Sequence, residues 1–209
     1  MSPDKPPEEH PEQAHRLLDA AFGRPRGPLG TVGGVVMARL NASQERWAVD
    51  RAALRAGERV LVVGPGPGVG LAPAVAAVEP GGRVIAVEPS ATMRRMAIRR
   101  CATRIAAGTL DVRDGTAERT GCPDAAVDAV LSVNNVMHWD RPAGFRELLR
   151  VLRPGGRMVL TVHRHVLGIP PERLVTEATR AGFGGVELTL RERRVLGPAV
   201  QLLMHHPGN

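Results

Sequence analysis

Three histidines carry the plainest capacity for chemistry in this chain. His138 stands in Asn134-Asn135-Val136-Met137-His138-Trp139-Asp140, and His163 and His165 end the apolar stretch that begins at Arg157. Imidazole titrates nearest neutrality, so a histidine beside a hydroxyl can take its proton. His138 is the first candidate base, with His163 and His165 second; the competing reading of His138 is packing and hydrogen bonding. His163 and His165, two apart on a strand, face one side, and with Asp140 they are of metal-ligating type. No ordered set of carboxylates accompanies them, so no metal is expected. His205 and His206 fall near the C-terminus and read as exposed.

The second group of residues is a glycine turn with a distant acid. Arg59-Val60-Leu61-Val62-Val63-Gly64-Pro65-Gly66-Pro67-Gly68-Val69-Gly70 reads as a buried strand running into a tight turn and a helix. Glycine lets a ligand approach the backbone closely, and such turns hold nucleotide-like cofactors in α/β folds. The dinucleotide pattern Gly-x-Gly-x-x-Gly fails here, because its third glycine falls on Val69 or Leu71. Pro65 and Pro67 also lack the N–H groups that would cradle a pyrophosphate, and the Gly-Lys-Ser/Thr of a P-loop is missing. A nucleoside without phosphates suits this turn better. Glu88 ends the next strand, 24 residues after Gly64, where an acid accepts hydrogen bonds from ribose hydroxyls.

These residues need a scaffold, and apolar periodicity predicts one. Strands are expected at Val60–Val63, Arg83–Val87, Thr109–Arg113, Val127–Val133, Arg157–His163, Gly185–Leu190 and Val200–His205. Helices are expected over Gly70–Val78, Ser90–Ala106, Ala143–Leu152 and Pro171–Ala181. The alternation predicts a doubly wound α/β sheet whose last two strands, with no helix between them, form an antiparallel hairpin. Ahead of it, residues 1–10 read as a disordered proline-rich tail. Helices over Pro11–Phe22 and Val32–Leu40, and a third capped by Asn41 or Ser43 and stopped by Gly57, predict a helical cap over 11–57. The main domain is then 58–209.

Composition bounds the partners. The chain has 209 residues, 43% hydrophobic and 23% charged, which is enough for one globular core. No apolar run reaches the ~18 residues of a membrane span, and the proline-rich acidic start is unlike a signal peptide. Cys101 and Cys122 have no metal spacing and suit a reducing cytoplasm. A net charge of +7 invites a nucleic-acid partner, but Lys5 is the only lysine beside 27 arginines, which looks like coding bias. Three Phe, two Trp and no Tyr are too few for base stacking. Arg94, Arg95, Arg99, Arg100 and Arg104 read first as a solvated helix face and second as an RNA-binding strip.

Taken together, the ordered motifs resemble those of class I S-adenosylmethionine-dependent methyltransferases. Val60 to Gly68 with Val87-Glu88-Pro89-Ser90 is similar to that family's first motif and its following acid. Gly115-Thr116-Ala117-Glu118, then Pro123 to Val130, resembles its next signature, and Glu147 to Gly156 resembles the junction into its fifth strand. The likeness runs in register from about Arg59 to His163 and is nearest to the ubiquinone/menaquinone-methylase type.

The resemblance implies a strand order of 3-2-1-4-5-7-6 and transfer of methyl from S-adenosyl-L-methionine to a small-molecule acceptor, leaving S-adenosyl-L-homocysteine. It implies a cofactor site of Gly64, Pro65, Gly66, Gly68, Glu88, Pro89, Met93, Gly115, Thr116, Ala117 and Asn134, and catalysis by His138 and His163. The acceptor side would be lined by Asn134 to Trp139 and by helices carrying Met37, Asn41 and Trp47. Two departures stand out: Val62 replaces a usual acid near the cofactor's methionine end, and Thr116 replaces the usual adenine-binding Asp, with Asp114 nearby. A homodimer is compatible. An RNA methyltransferase and a non-catalytic cofactor-binding protein remain as alternatives, the first weakened by the lack of a Pro-Pro-Tyr/Phe stacking motif. A nicotinamide oxidoreductase is disfavoured by the proline-blocked turn.

Overall fold

A computed structural model describes residues 42–192 and 197–208. The predicted tail 1–10, the helices over 11–22 and 32–40, Met37 and Asn41 lie outside the described residues. Helix α1 covers residues 42–52. The order continues β1 (Arg59–Val63), α2 (Leu71–Val78), β2 (Arg83–Val87), α3 (Ala91–Arg100), α4 (Ala102–Ala106), β3 (Leu110–Arg113) and β4 (Val127–Val133). It ends α5 (Arg141–Val151), β5 (Leu152–His163), α6 (Pro171–Ala181), β6 (Gly184–Arg191) and β7 (Ala199–His205).

The seven strands form one sheet in the order β3-β2-β1-β4-β5-β7-β6. The first five run parallel and β7 runs antiparallel to both of its neighbours. The predicted fold class and strand order are borne out. A parallel sheet must be covered on both faces, and the alternation of side chains along β1 serves both. Leu61 and Val63 join Phe145 and Leu148 of α5 and Leu174 of α6. Val60 and Val62 join Ala48 and Ala52 of α1 with Leu71 and Val75 of α2. All seven residues of β4 are buried, as a strand at the centre requires. Each fully buried Leu or Val contributes ~1.5–3 kcal/mol, so these two layers dominate stability.

Several element boundaries shift by a residue, and three larger departures from expectation have a local reason. The helix expected over Ser90–Ala106 breaks at Cys101 (φ −110°, ψ 20°), whose buried thiol faces Gly68 O at 3.8 Å. Helix α5 starts two residues early because the Asp140 carboxylate accepts the Ala143 N–H (3.2 Å), and Pro142 fits its first turn. Strand β5 begins at Leu152 because the Gly155 N–H donates to His206 O (3.1 Å) and the His206 N–H to Gly156 O (2.8 Å). The chain end thereby pairs with the Arg153-Pro154-Gly155-Gly156 turn.

Between β1 and β4 the chain reverses its direction of winding, and a crevice opens beyond the carboxyl ends of these strands. At the opposite end, Arg157 donates to both Glu58 oxygens (3.0 and 2.8 Å) and to the Ala52 and Ala53 carbonyls. That guanidinium fastens the end of α1 to β5. Burial pushes the Glu58 carboxyl up, but hydrogen bonds from Arg157 and the Arg55 N–H outweigh it and lower its pKa.

Candidate functional site

The glycine turn after β1 alternates in burial as well as in sequence. Pro65 and Pro67 are buried, while Gly64 and Gly66 are partly open. Gly64, Gly66 and Gly68 have φ of 59°, 54° and 82°, the left-handed region that side chains rarely adopt. A Cβ on Gly64 would stand 2.5 Å from Asn135 Nδ2, and one on Gly68 3.0 Å from Ala97, whereas one on Gly66 would meet nothing within 4 Å. Two glycines admit neighbouring protein; the middle one faces open space.

Glu88 closes the side of that space. It is buried, with Oε2 accepting the Gly66 N–H (3.0 Å) and Oε1 the Ser90 N–H (2.9 Å). An ionised carboxylate has about four acceptor positions, so each oxygen retains one for a pair of hydroxyls. Burial raises the Glu88 pKa, against the lowering effect of the Ser90 and Gly66 N–H groups and the Arg94 charge. Arg94 donates to Glu88 O (2.6 Å) and to Asp114 Oδ1 (2.9 Å), and Arg100 donates to Pro67 O (2.9 Å). Two arginines of the expected strip thus hold the turn and its acid.

The remaining sequence-predicted residues lie along the same edge. Pro89 is exposed and Met93 is buried on α3, whose first turn is capped by Ser90 Oγ. After β3, Thr116 and Arg119 exchange backbone hydrogen bonds (3.1 and 3.3 Å), Gly115 packs against Val87, and Ala117 is buried. Trp139 lies over Gly144 of α5 and meets Phe145 edge to face at 6.1 Å between centroids. His138 is exposed at the end of the single helical turn Val136–His138. The structure therefore brings the glycine turn, Glu88 and the Gly115–Ala117 turn to one edge, with His138 at its outer rim.

His163 sits inside instead. Its backbone N–H donates to Asn134 Oδ1 (2.9 Å), which turns Asn134 Nδ2 toward Gln44 Oε1 and leaves Gln44 Nε2 facing His163 Nδ1 at 3.3 Å. A backbone N–H can only donate, so it fixes the direction of every bond in this ring. His163 Nδ1 is the acceptor, and the neutral imidazole carries its proton on Nε2. Asn134 itself has a left-handed φ of 55°. His165 is exposed, 5.3 Å from His163 between ring centroids. No group of three or more His, Cys, Asp or Glu among the described residues is arranged to hold a metal ion.

Four side chains have roles that the sequence reading did not assign: Asn135, expected only on the acceptor side, Arg94, expected only in the strip, and Gln44 and Glu45. Asn135 donates Nδ2 to Val63 O (2.6 Å), with Oδ1 fixed by Ser132 Oγ (2.8 Å), and so supports the first glycine. Arg94 positions Glu88; Gln44 and Glu45 reach the site from α1. Polar residues just past a buried strand were the available signal for Asn135. For Gln44 and Glu45 nothing in the sequence set them apart on an amphipathic helix.

Comparison with known proteins decides the family. The family described as "Methyltransferase domain" matches residues 61–160. The uncharacterized methyltransferase YdaC of Bacillus subtilis is 24% identical over 168 residues, covering 77% of this chain and 90% of YdaC. The ubiquinone/menaquinone biosynthesis C-methyltransferase UbiE of Ectopseudomonas oleovorans is 33% identical over 116 residues, covering 54% of this chain and 67% of that enzyme. The chain belongs to the methyltransferase-domain family. It spans about half the length of other UbiE enzymes it matches, 46% for that of Pseudomonas putida. Among solved structures, phosphoethanolamine N-methyltransferase 2 of Haemonchus contortus, in complex with S-adenosyl-L-methionine, has a TM-score of 0.68 at 16% identity, over 79% of this chain and 52% of that one. That likeness shows the fold. The methyltransferase expectation is borne out, and the chain is an enzyme of this class.

Proposed function

We propose that this methyltransferase transfers the methyl group of S-adenosyl-L-methionine to a small-molecule acceptor. The observation that carries the reading is the Glu88 carboxylate, aimed by two backbone N–H groups beside the open face of Gly66. Its two remaining acceptor positions fit a ribose diol, and the proline-interrupted turn offers no cradle for a phosphate. Gly115, Thr116 and Ala117 would border the adenine, with Met93 and Pro89 beside it, while Gly64, Pro65 and Gly68 shape the turn and Asn134 borders the far side.

The bound cofactor supplies a methyl carbon activated by its sulfonium, and the carbon–sulfur electron pair returns to sulfur as the acceptor's lone pair takes the methyl. The chain's part is mostly to align the two and keep the pocket dry. With a hydroxyl acceptor, His138 takes the proton. His163 is less suited as that base, because Nδ1 is engaged by Gln44 and Nε2 already holds the proton. It serves better to orient the ends of β4 and β5. Arg94 and Arg100 are committed to the cofactor turn, which favours a small acceptor over RNA. We place the enzyme in the cytoplasm, where the two free cysteines stay reduced, and read it as a homodimer.

Titration calorimetry tests the reading. S-adenosyl-L-methionine and S-adenosyl-L-homocysteine should both bind, and an acceptor panel should yield S-adenosyl-L-homocysteine; no heat from either ligand at millimolar concentration sinks it.

A further inference from the structure

The methionine end of the cofactor carries an ammonium group, and β1 offers it nothing: Val62 is apolar and 5% exposed. Helix α1 lies over that residue. Ala48 and Ala52 share a hydrophobic layer with Val62, and Glu45, three residues before Ala48, lies on the same helical face. The Glu45 carboxyl stands at the glycine turn's exit, where a Cβ on Gly70 would be 2.2 Å from Oε2. Glycine at position 70 makes room for that carboxyl.

The order of the sheet also orders the ligand. On that cofactor reading the adenine would lie past β3 and the ribose at Glu88 past β2, so the rest of the molecule would extend toward β1 and β4, the next strands in the sheet. Glu45 and Gln44 stand together at that end, Gln44 bonded to Asn134 beyond β4 and Glu45 against the start of α2.

We propose that Glu45 is the carboxylate that receives the methionyl ammonium of S-adenosyl-L-methionine, supplied by α1. This rests on the cofactor reading above. Desolvation pushes the Glu45 carboxyl up to about 8, with no hydrogen bond or cation among the described residues compensating. A carboxyl so placed gives up its proton when a cation arrives, and the ion pair then forms away from bulk water.

Three ligands separate the possibilities. S-adenosyl-L-methionine and S-adenosyl-L-homocysteine both carry the ammonium, whereas 5′-methylthioadenosine keeps the nucleoside thioether without the amino acid. Binding by each is measured calorimetrically for the unaltered chain and for Glu45→Gln. The substitution should weaken the first two ligands about tenfold or more, equally, and change the third less than twofold, which also shows the variant folded. Weakening of all three alike would mean a structural role, loss confined to S-adenosyl-L-methionine a contact with the sulfonium, and no loss an idle side chain; each overturns the proposal. Failure of the unaltered chain to bind the first two would overturn the cofactor reading instead.

Discussion

Buried Glu88 and half-buried Glu45 both have raised pKa, yet they differ in how the backbone treats them. Glu88 accepts two N–H groups that favour its ionised form, so Glu88→Gln should cost about tenfold or more in S-adenosyl-L-homocysteine affinity with little change in melting temperature. Glu45 has no such partner. Its folded pKa of about 8 exceeds the ordinary 4.5, so between those values the folded chain keeps a proton that the unfolded chain releases. The stabilisation is complete below the lower value and is lost as pH rises through 8. Ligand-free Glu45→Gln should therefore show a flatter decline in stability between pH 5 and 8, read from urea midpoints at each pH. At Gly64, an alanine would need φ of 59° and room held by Asn135, so Gly64→Ala should destabilise by ~2 kcal/mol in the same assay. Glu88 was legible in the sequence because its distance from Gly64 encodes a strand–helix–strand unit. Glu45 was not, because its meaning depends on which way α1 lies across the sheet.

Among elements, α1 depends most on others. A lone helix is marginal in water, and the docking of α1 rests on Ala48, Ala52 and the Arg157 guanidinium at its end. Arg157→Ala should destabilise by about 3 kcal/mol, since it strands Glu58 and two carbonyls. Glu58 has a lowered folded pKa, so its contribution is present above the ordinary 4.5 and is lost as pH falls through the folded value. The gap between Arg157→Ala and the unaltered chain should narrow in acid, measured by thermal melts. Strand positions were readable from runs of Val and Leu, whereas the break at Cys101 was not, because Arg100 and Cys101 answer to Pro67 and Gly68 across the turn. The early start of α5 was written in Asp140 and Pro142, a cap and first-turn pair that apolar periodicity alone passes over.

For the whole molecule, the charge of +7 and the two-layered core pull in different directions. The core's pattern and the ordered motifs specified the sheet well enough to give its strand order. The charge specified little, because much of it is spent internally: Arg94, Arg100, Arg141, Arg150 and Arg157 all bind acids or carbonyls of this chain. Filter binding of single-stranded RNA at about 150 mM salt should accordingly be no tighter than about 10 μM; nanomolar, salt-sensitive retention would revive the RNA alternative.

Gln44 and Glu45 join α1 to both sides of the crevice, and this gives occupancy a thermodynamic signature far from the ligand. Whatever free energy the cofactor gains from a docked α1, the docking of α1 gains from the cofactor. Amide hydrogens of residues 46–52 should exchange more slowly with S-adenosyl-L-homocysteine present, and the slowing should shrink in Glu45→Gln. The helix that helps hold the ligand is then its local thermometer.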